Sequence, residues 1–126
     1  MAAEIEFDWV RRNDGSSEFE DFLAGLPAKD AAKLLAVIQN TEAYGLATAL
    51  TMQWVKKLED NLWELRSARA GNAQRAVFFH AVGPDYVITH GFTKKTQRTP
   101  RAELEHARSL RARYLVDRKD DDEQDH

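Results

Sequence analysis

The chain contains no cysteine. Disulfides, thiol nucleophiles, cysteine-based zinc sites and iron–sulfur clusters are therefore excluded, and nothing demands an oxidising compartment. It also lacks the run of about 18 apolar residues that a membrane span requires. The beginning Met-Ala-Ala-Glu-Ile-Glu-Phe-Asp is acidic and has neither the basic nor the apolar stretch of a signal peptide. These absences predict a cytoplasmic protein with no membrane partner. No Gly-x-Ser-x-Gly elbow and no glycine-rich strand-to-helix loop is present, so neither serine hydrolysis nor a nucleotide cradle is signalled. His80, His90, His106 and His126 have no metal-ligand spacing. No metal and no cofactor is implied.

What the chain does have is charge, unevenly placed. The net charge of −3 over 126 residues conceals three blocks. Residues 1–53 carry 4 basic and 9 acidic side chains, residues 54–116 carry 12 basic and 6 acidic, and residues 117–126 carry 2 basic and 6 acidic. A net +6 concentrated in one half of a short chain points to a surface that faces a polyanion. The length suits one domain with its own core. The expected organisation is a single domain over 1–116 followed by an unstructured acidic tail over 117–126.

Residues 4–10 alternate polar and apolar and predict a first strand. Ser17 and Glu20 have capping-box spacing ahead of Phe19, Phe22, Leu23 and Leu26, which predicts a short amphipathic helix ending at Pro27. Ala31, Leu34, Leu35 and Ile38 stripe a second helix that Gly45 stops. Residues 46–61 fit either a helical turn or an extended connector and are left unassigned. Three strand-like runs follow, 62–68, 74–82 and 86–92, joined by Gly71-Asn72 and Gly83-Pro84-Asp85 turns. Thr99 and Pro100 form an N-cap and N1 pair ahead of a helix striped by Leu104, Ala107, Leu110 and Tyr114. The fold class is therefore α+β, in the order β-α-α-β-β-β-α. It consists of a small antiparallel sheet with two N-terminal helices packed on one face and a C-terminal helix.

A hairpin register that pairs Arg66 with Arg75 puts Glu64, Arg66, Arg75 and Val77 on one face, because successive side chains alternate. Like charges directly opposite each other repel unless an anion lies between them, which motivates a phosphate site. The run from Thr93 to Arg101 adds Lys94, Lys95, Arg98 and Arg101 just before a helix, where backbone N–H groups also favour phosphate. Two blander readings compete. The loop is then a solvated basic segment, and Glu64 is simply the salt-bridge partner of the arginines.

Taken together, Lys57-Leu58, Leu62-Trp63-Glu64-Leu65-Arg66, Arg75-Ala-Val-Phe-Phe, the run from His90-Gly91-Phe92 through Lys94-Lys95-Thr96 to Thr99-Pro100, and Glu103-x-x-x-Ala107 form a pattern. It resembles the phage-derived HigB-like branch of the RelE/ParE toxin superfamily, closely over residues 54–115 and only in layout before that. The resemblance implies a RelE-like fold and a type II toxin that cleaves mRNA in the ribosomal A site without a metal. The implied partners are ribosome, mRNA and a cognate antitoxin, a helix-turn-helix protein encoded by the adjacent gene. Such cleavage needs a 2′-hydroxyl nucleophile, a base, cations for the pentacoordinate phosphate and an acid for the 5′ oxygen.

By resemblance, Arg75 contacts the scissile phosphate and Lys95 takes the basic position after the last strand. Arg66, Lys94 and Lys57 are supporting cations, for transition-state charge or for ribosomal RNA. Arg98 and Arg101, read from the basic run before the helix, join Lys57 and Lys94 as expected RNA or ribosome contacts. Glu64 is the first candidate for the base and His90 the alternative, with His90 expected on the helix-covered side or the rim of the sheet. Arg75→Ala is expected to abolish cleavage and leave the fold intact. Two further readings are a ParE-like non-nuclease that inhibits gyrase and a phage-derived regulator that binds nucleic acid without cutting it. The acidic tail is expected to cover the basic surface transiently.

Overall fold

The structure, a computed structural model, describes residues 3–124. Nine elements follow in order: β1 (Glu6–Trp9), α1 (Glu18–Gly25), α2 (Ala28–Tyr44), α3 (Leu46–Thr51), β2 (Val55–Glu59), β3 (Leu62–Arg69), β4 (Asn72–Val82), β5 (Asp85–Lys94) and α4 (Arg101–Gln124). The class is α+β, but the order is β-α-α-α-β-β-β-β-α. The unassigned stretch 46–61 holds one more helix and one more strand than the pattern showed.

Local chemistry explains most boundaries. Ser17 caps α1, its hydroxyl accepting from the amides of Phe19 at 3.1 Å and Glu20 at 3.4 Å. The capping box is not reciprocal, because Glu20 instead accepts from the Trp9 indole at 2.6 Å and from Arg11. Gly45 sits at φ 89°, where a side chain would be strained, and its amide closes α2 on the Thr41 carbonyl. Gln53, also at positive φ, turns the chain from α3 into β2.

The strands form one sheet in the order β1-β5-β4-β3-β2. It is mixed rather than antiparallel, since β1 runs parallel to β5, with Glu6 beside Asp85 and Trp9 beside Ile88. Alternation within a strand reveals its faces but not the direction of its partner. Arg66 lies opposite Arg75, the register expected from the sequence. The hairpin turn is Ala70-Gly71 and not Gly71-Asn72. Both residues have positive φ, 51° and 83°, as a two-residue turn between twisted strands requires. On β5 the register shifts so that His90 faces Val77 while Ile88 faces Phe78, leaving Thr89 as an extra residue.

Helices cover both faces, a correction to the one-sided packing expected. On one face α1, α2 and α3 bury Phe19, Leu34, Ile38 and Ala49 against Val55, Leu65, Ala76, Phe78 and Ile88. On the other, Ala107 and Leu110 of α4 pack on Leu62, Val77, Phe79 and Val87. Because α4 follows β5 directly, it takes the face that the earlier helices leave open.

Thr99 does not cap α4. The first-turn amides of Glu103 and Leu104 reach the Pro100 carbonyl, and the Thr99 hydroxyl is used elsewhere. Helix α4 continues through Gln124, so most of the segment 117–126 read as unstructured is helical, and residues 125–126 lie outside the described residues. Among the described residues no helix is long and apolar enough to cross a membrane.

Candidate functional site

The face shared by Glu64, Arg66 and Arg75 is apolar under α4 and cationic beyond it. Along β4 the residues on this face are Phe79, Val77 and then Arg75. Along β5 they are His90, Phe92 and then Lys94, which lies opposite Ala73. Lys56 of β2 stands opposite Glu64 and joins them. Arg66, Ala73, Arg75, Lys94, Lys95, Thr96 and Gln97 line a cleft of about 460 Å3. Four strands therefore deliver cations to one place, and the loop after β5 closes its side.

Glu64 is the single carboxylate among them, and it is fully buried. Its Oε1 lies 3.5 Å from Arg75 Nε and 3.9 Å from Arg66 Nε, close enough for charge pairing but not aligned for a hydrogen bond. Its Oε2 accepts from Thr99 Oγ1 at 2.9 Å. Arg75 is nearly buried as well, and its Nη1 donates to the carbonyls of Gln74 at 2.9 Å and Ser67 at 3.4 Å. Burial lowers the pKa of this guanidinium, Glu64 raises it and Arg66 lowers it further. Even so, an arginine remains charged at neutral pH. The Lys94 ammonium is lowered in the same way, first by burial and then by Arg75, Arg66 and Lys56, against an upward pull from Glu64.

His90 lies on the same face as Glu64, across Val77, but under α4 and outside the cleft lining. Its Nε2 is 2.6 Å from Glu103 Oε2 and its Nδ1 is 3.0 Å from Thr89 Oγ1. Burial holds its pKa below the usual imidazole value although Glu103 pulls it up. His106 packs edge-on against this ring at 4.8 Å and pairs with Glu18 at 2.7 Å, which ties α4 to α1. Lys57 pairs with Trp63 and so belongs to the opposite face. Arg98 is exposed on the loop, and Arg101, the first residue of α4, pairs with Glu105 at 3.1 Å.

Lys56 is the cation that sequence reasoning missed. The signal was the burial of Val55, which fixes the parity of β2, but Trp54 beside it is an equally plausible core residue. The acidic segment lies away from the cleft. Asp117 lies sixteen positions after Arg101 along α4, roughly 24 Å of helix at 1.5 Å per residue. Asp117 and Arg118 border a different depression, beside Asp85 and Tyr114. The expected cover of the basic surface by this segment is not seen among the described residues.

Chemically, the cleft is a site for an anion with several oxygens. The Arg66 guanidinium and Nη2 of Arg75 can donate to phosphate oxygens, lysines add point charge, and the one internal carboxylate is sealed beneath them. A comparison with family models matches residues 21–112 to the family described as phage-derived protein Gp49-like, whose members are toxin-like. A comparison with the curated proteins gives no match.

Proposed function

The chain belongs to the phage-derived Gp49-like family, and from that membership together with the cationic cleft we propose that it is the toxin of a type II toxin–antitoxin pair. In this reading, which follows its resemblance to HigB-like toxins, it is a ribosome-dependent endoribonuclease that cuts mRNA without a metal. One observation carries the reading: Arg66 and Arg75 stand directly opposite each other on adjacent strands, at the floor of a cleft that Lys94 and Lys95 also line. Glu64 balances only one of the two positive charges, and a phosphodiester supplies the remaining counter-charge.

The reaction follows from this placement. The mRNA 2′-oxygen attacks the adjacent phosphorus, the P–O5′ bond breaks, and a 2′,3′-cyclic phosphate and a 5′-hydroxyl result. Charge accumulates on the non-bridging oxygens, where Arg75 and Arg66 are held in place by Glu64 and Lys95 adds a point charge from the cleft wall. Proton transfer belongs to Lys94. It lines the cleft, and burial and its cationic neighbours move its pKa toward neutrality. Neither Glu64, sealed beneath the arginines, nor His90, held under α4, opens onto the substrate space. Lys56 and Arg98 extend the positive surface toward ribosomal RNA. The cognate antitoxin, a helix-turn-helix protein encoded by the adjacent gene, presents acidic side chains to the same surface.

The test is primer extension on mRNA in a translating extract, with a gyrase supercoiling assay run beside it. Cuts that require translation, and that Lys94→Arg reduces despite keeping the charge, support the reading. Uncut messages on translating ribosomes overturn it, and inhibited supercoiling in the same samples assigns the protein to the ParE-like class instead.

A further inference from the structure

We propose that Glu64 is a positioning residue, the buried counterion that fixes the edge of Arg75 presented to the cleft and, through Thr99, tethers the basic loop to the sheet. The inference rests on the phosphodiester reading for its consequence, but its geometry stands without it.

Three groups carry it. Glu64 Oε1, Arg66 Nε and Arg75 Nε are all shut off from solvent and all lack a hydrogen-bond partner, yet Oε1 lies 3.5 Å from Arg75 Nε and 3.9 Å from Arg66 Nε. Buried charges are retained when they are paired, and here the pairing is by proximity rather than by aligned hydrogen bonds. The consequence for Arg75 is directional. Its Nε faces Glu64 and its Nη1 is spent on two backbone carbonyls, so Nη2 is the donor left for a ligand in the cleft. Rotating the guanidinium would break all of these interactions at once.

The second oxygen of Glu64 reaches out of the sheet. Thr99 stands five residues after Lys94, at the end of the loop that carries Lys95, Thr96 and Gln97 along the cleft wall. Its hydroxyl donates to Oε2 at 2.9 Å. One carboxylate therefore sets both the floor and the wall of the cleft. Its charged neighbours come from every surrounding element: Lys56 from β2, Arg66 from β3, Arg75 from β4 and Lys94 from β5. A net positive cluster held by one central anion keeps its shape when empty, which is the preorganisation that electrostatic stabilisation needs.

The experiment compares the wild-type protein with Glu64→Gln, Thr99→Val and Thr99→Ser by two readouts. The first is the NMR signal of the Arg75 Nε–H in the free protein. In the wild type and Thr99→Ser it should exchange with water far more slowly than that of exposed Arg98, and in Glu64→Gln this protection should be lost. The second is mRNA cleavage on ribosomes across pH. Glu64→Gln and Thr99→Val should each slow cleavage by about 10- to 100-fold, the scale of a displaced catalytic group. Both limbs of the pH–rate profile should persist, unmoved in Thr99→Val and with the Lys94 limb shifted to lower pH in Glu64→Gln, where the carboxylate no longer raises that pKa. Thr99→Ser should restore the rate.

If Glu64→Gln abolishes the acidic limb of the profile while Arg75 Nε–H stays protected, Glu64 exchanges protons and the proposal is overturned. Wild-type Arg75 Nε–H that exchanges as fast as that of Arg98 also overturns it. Should Glu64→Gln fail to fold, Thr99→Val still decides, because an unchanged cleavage rate in that variant refutes the tether. Slow exchange of Arg75 Nε–H in a wild-type protein that cuts no message supports the positioning role and removes only the nuclease reading.

Discussion

Removing Arg75 should cost stability before it costs chemistry. Glu64 is fully buried and Arg75 nearly so, and truncating one partner of a buried pair leaves an uncompensated charge at about 3–5 kcal/mol. Arg66 remains 3.9 Å from the same carboxylate and is about a third exposed, so part of that cost is relieved by a second, partly solvated cation. Arg75→Met should therefore destabilise by about 2–3 kcal/mol. At a urea slope of about 1.5–2 kcal/mol/M, the unfolding midpoint falls by roughly 1–2 M.

The double variant Glu64→Gln with Arg75→Met leaves no buried ion, and the amide oxygen still accepts from Thr99. It should recover most of the loss, giving a coupling of about 2 kcal/mol in the mutant cycle. Urea titrations of the four proteins at pH 7, followed by fluorescence of the tryptophans, measure it. A single variant within about 0.3 M of the wild type, or strictly additive losses, would refute the reasoning. The expectation that Arg75→Ala leaves the fold intact therefore needs its own control: a loss of cleavage in that variant is interpretable only beside its stability.

Three other predictions rest on separate features. A Cβ on Gly91 would lie 2.6 Å from Phe22 Cε2 and 2.9 Å from its Cγ, so Gly91→Ala should destabilise by about 1–3 kcal/mol, and Phe22→Ala in the same chain should relieve part of that. Urea unfolding decides, with additive losses as the contrary result. Ala70 sits at φ 51° in the hairpin turn, where an alanine is strained by about 1 kcal/mol, so Ala70→Gly should leave the melting temperature unchanged or raise it, and a lower one would count against the turn geometry. His90 has a folded pKa below its unfolded value of about 6.5. Its contribution is therefore fully present above that pH and is lost as pH falls through the lowered folded value. Melting temperatures from pH 7.5 to 5 should fall less steeply for His90→Gln than for the wild type, and parallel curves would exclude this titration.

The legible parts of the fold were those that depend on short-range pattern. Alternation fixes which residues of β3 and β4 share a face, since a slip of one residue would expose Leu65 and bury Arg66, but the pairing of Arg66 with Arg75 also needs the turn to be Ala70-Gly71 rather than Gly71-Asn72. The Ser17 cap and the Leu104, Ala107, Leu110 stripe are likewise local. What stayed hidden depends on partners distant in sequence. The parallel pairing of β1 with β5 joins residues about 80 apart, and nothing in Glu6–Trp9 states its direction. Residues 46–61 pass from α3 through a positive-φ Gln53 into a five-residue strand, elements too short for periodicity to separate. Thr99 before Pro100 has the composition of a cap, but the buried Glu64 carboxylate, lacking solvent, takes its hydroxyl instead.

The burial of Glu64 shows why a charge count along the chain located the cleft but not the roles within it. Helix α4 begins only at Arg101, so its apolar stripe reaches Leu62, Val77 and Phe79 and stops short of the hairpin end. Strand residues on that face must then be apolar where the helix covers them and are free to be charged beyond it. Leu62 gives way to Arg66, Val77 to Arg75, and Phe92 to Lys94, each within four residues on one side of the sheet. The clustering of positive charge between residues 54 and 116 is the linear trace of this boundary. Glu64 lies at the boundary itself, opposite Val77 on one side and Lys56 on the other, where an apolar residue would leave the arginines without a counterion and an exposed acid would cancel the positive charge that lines the cleft.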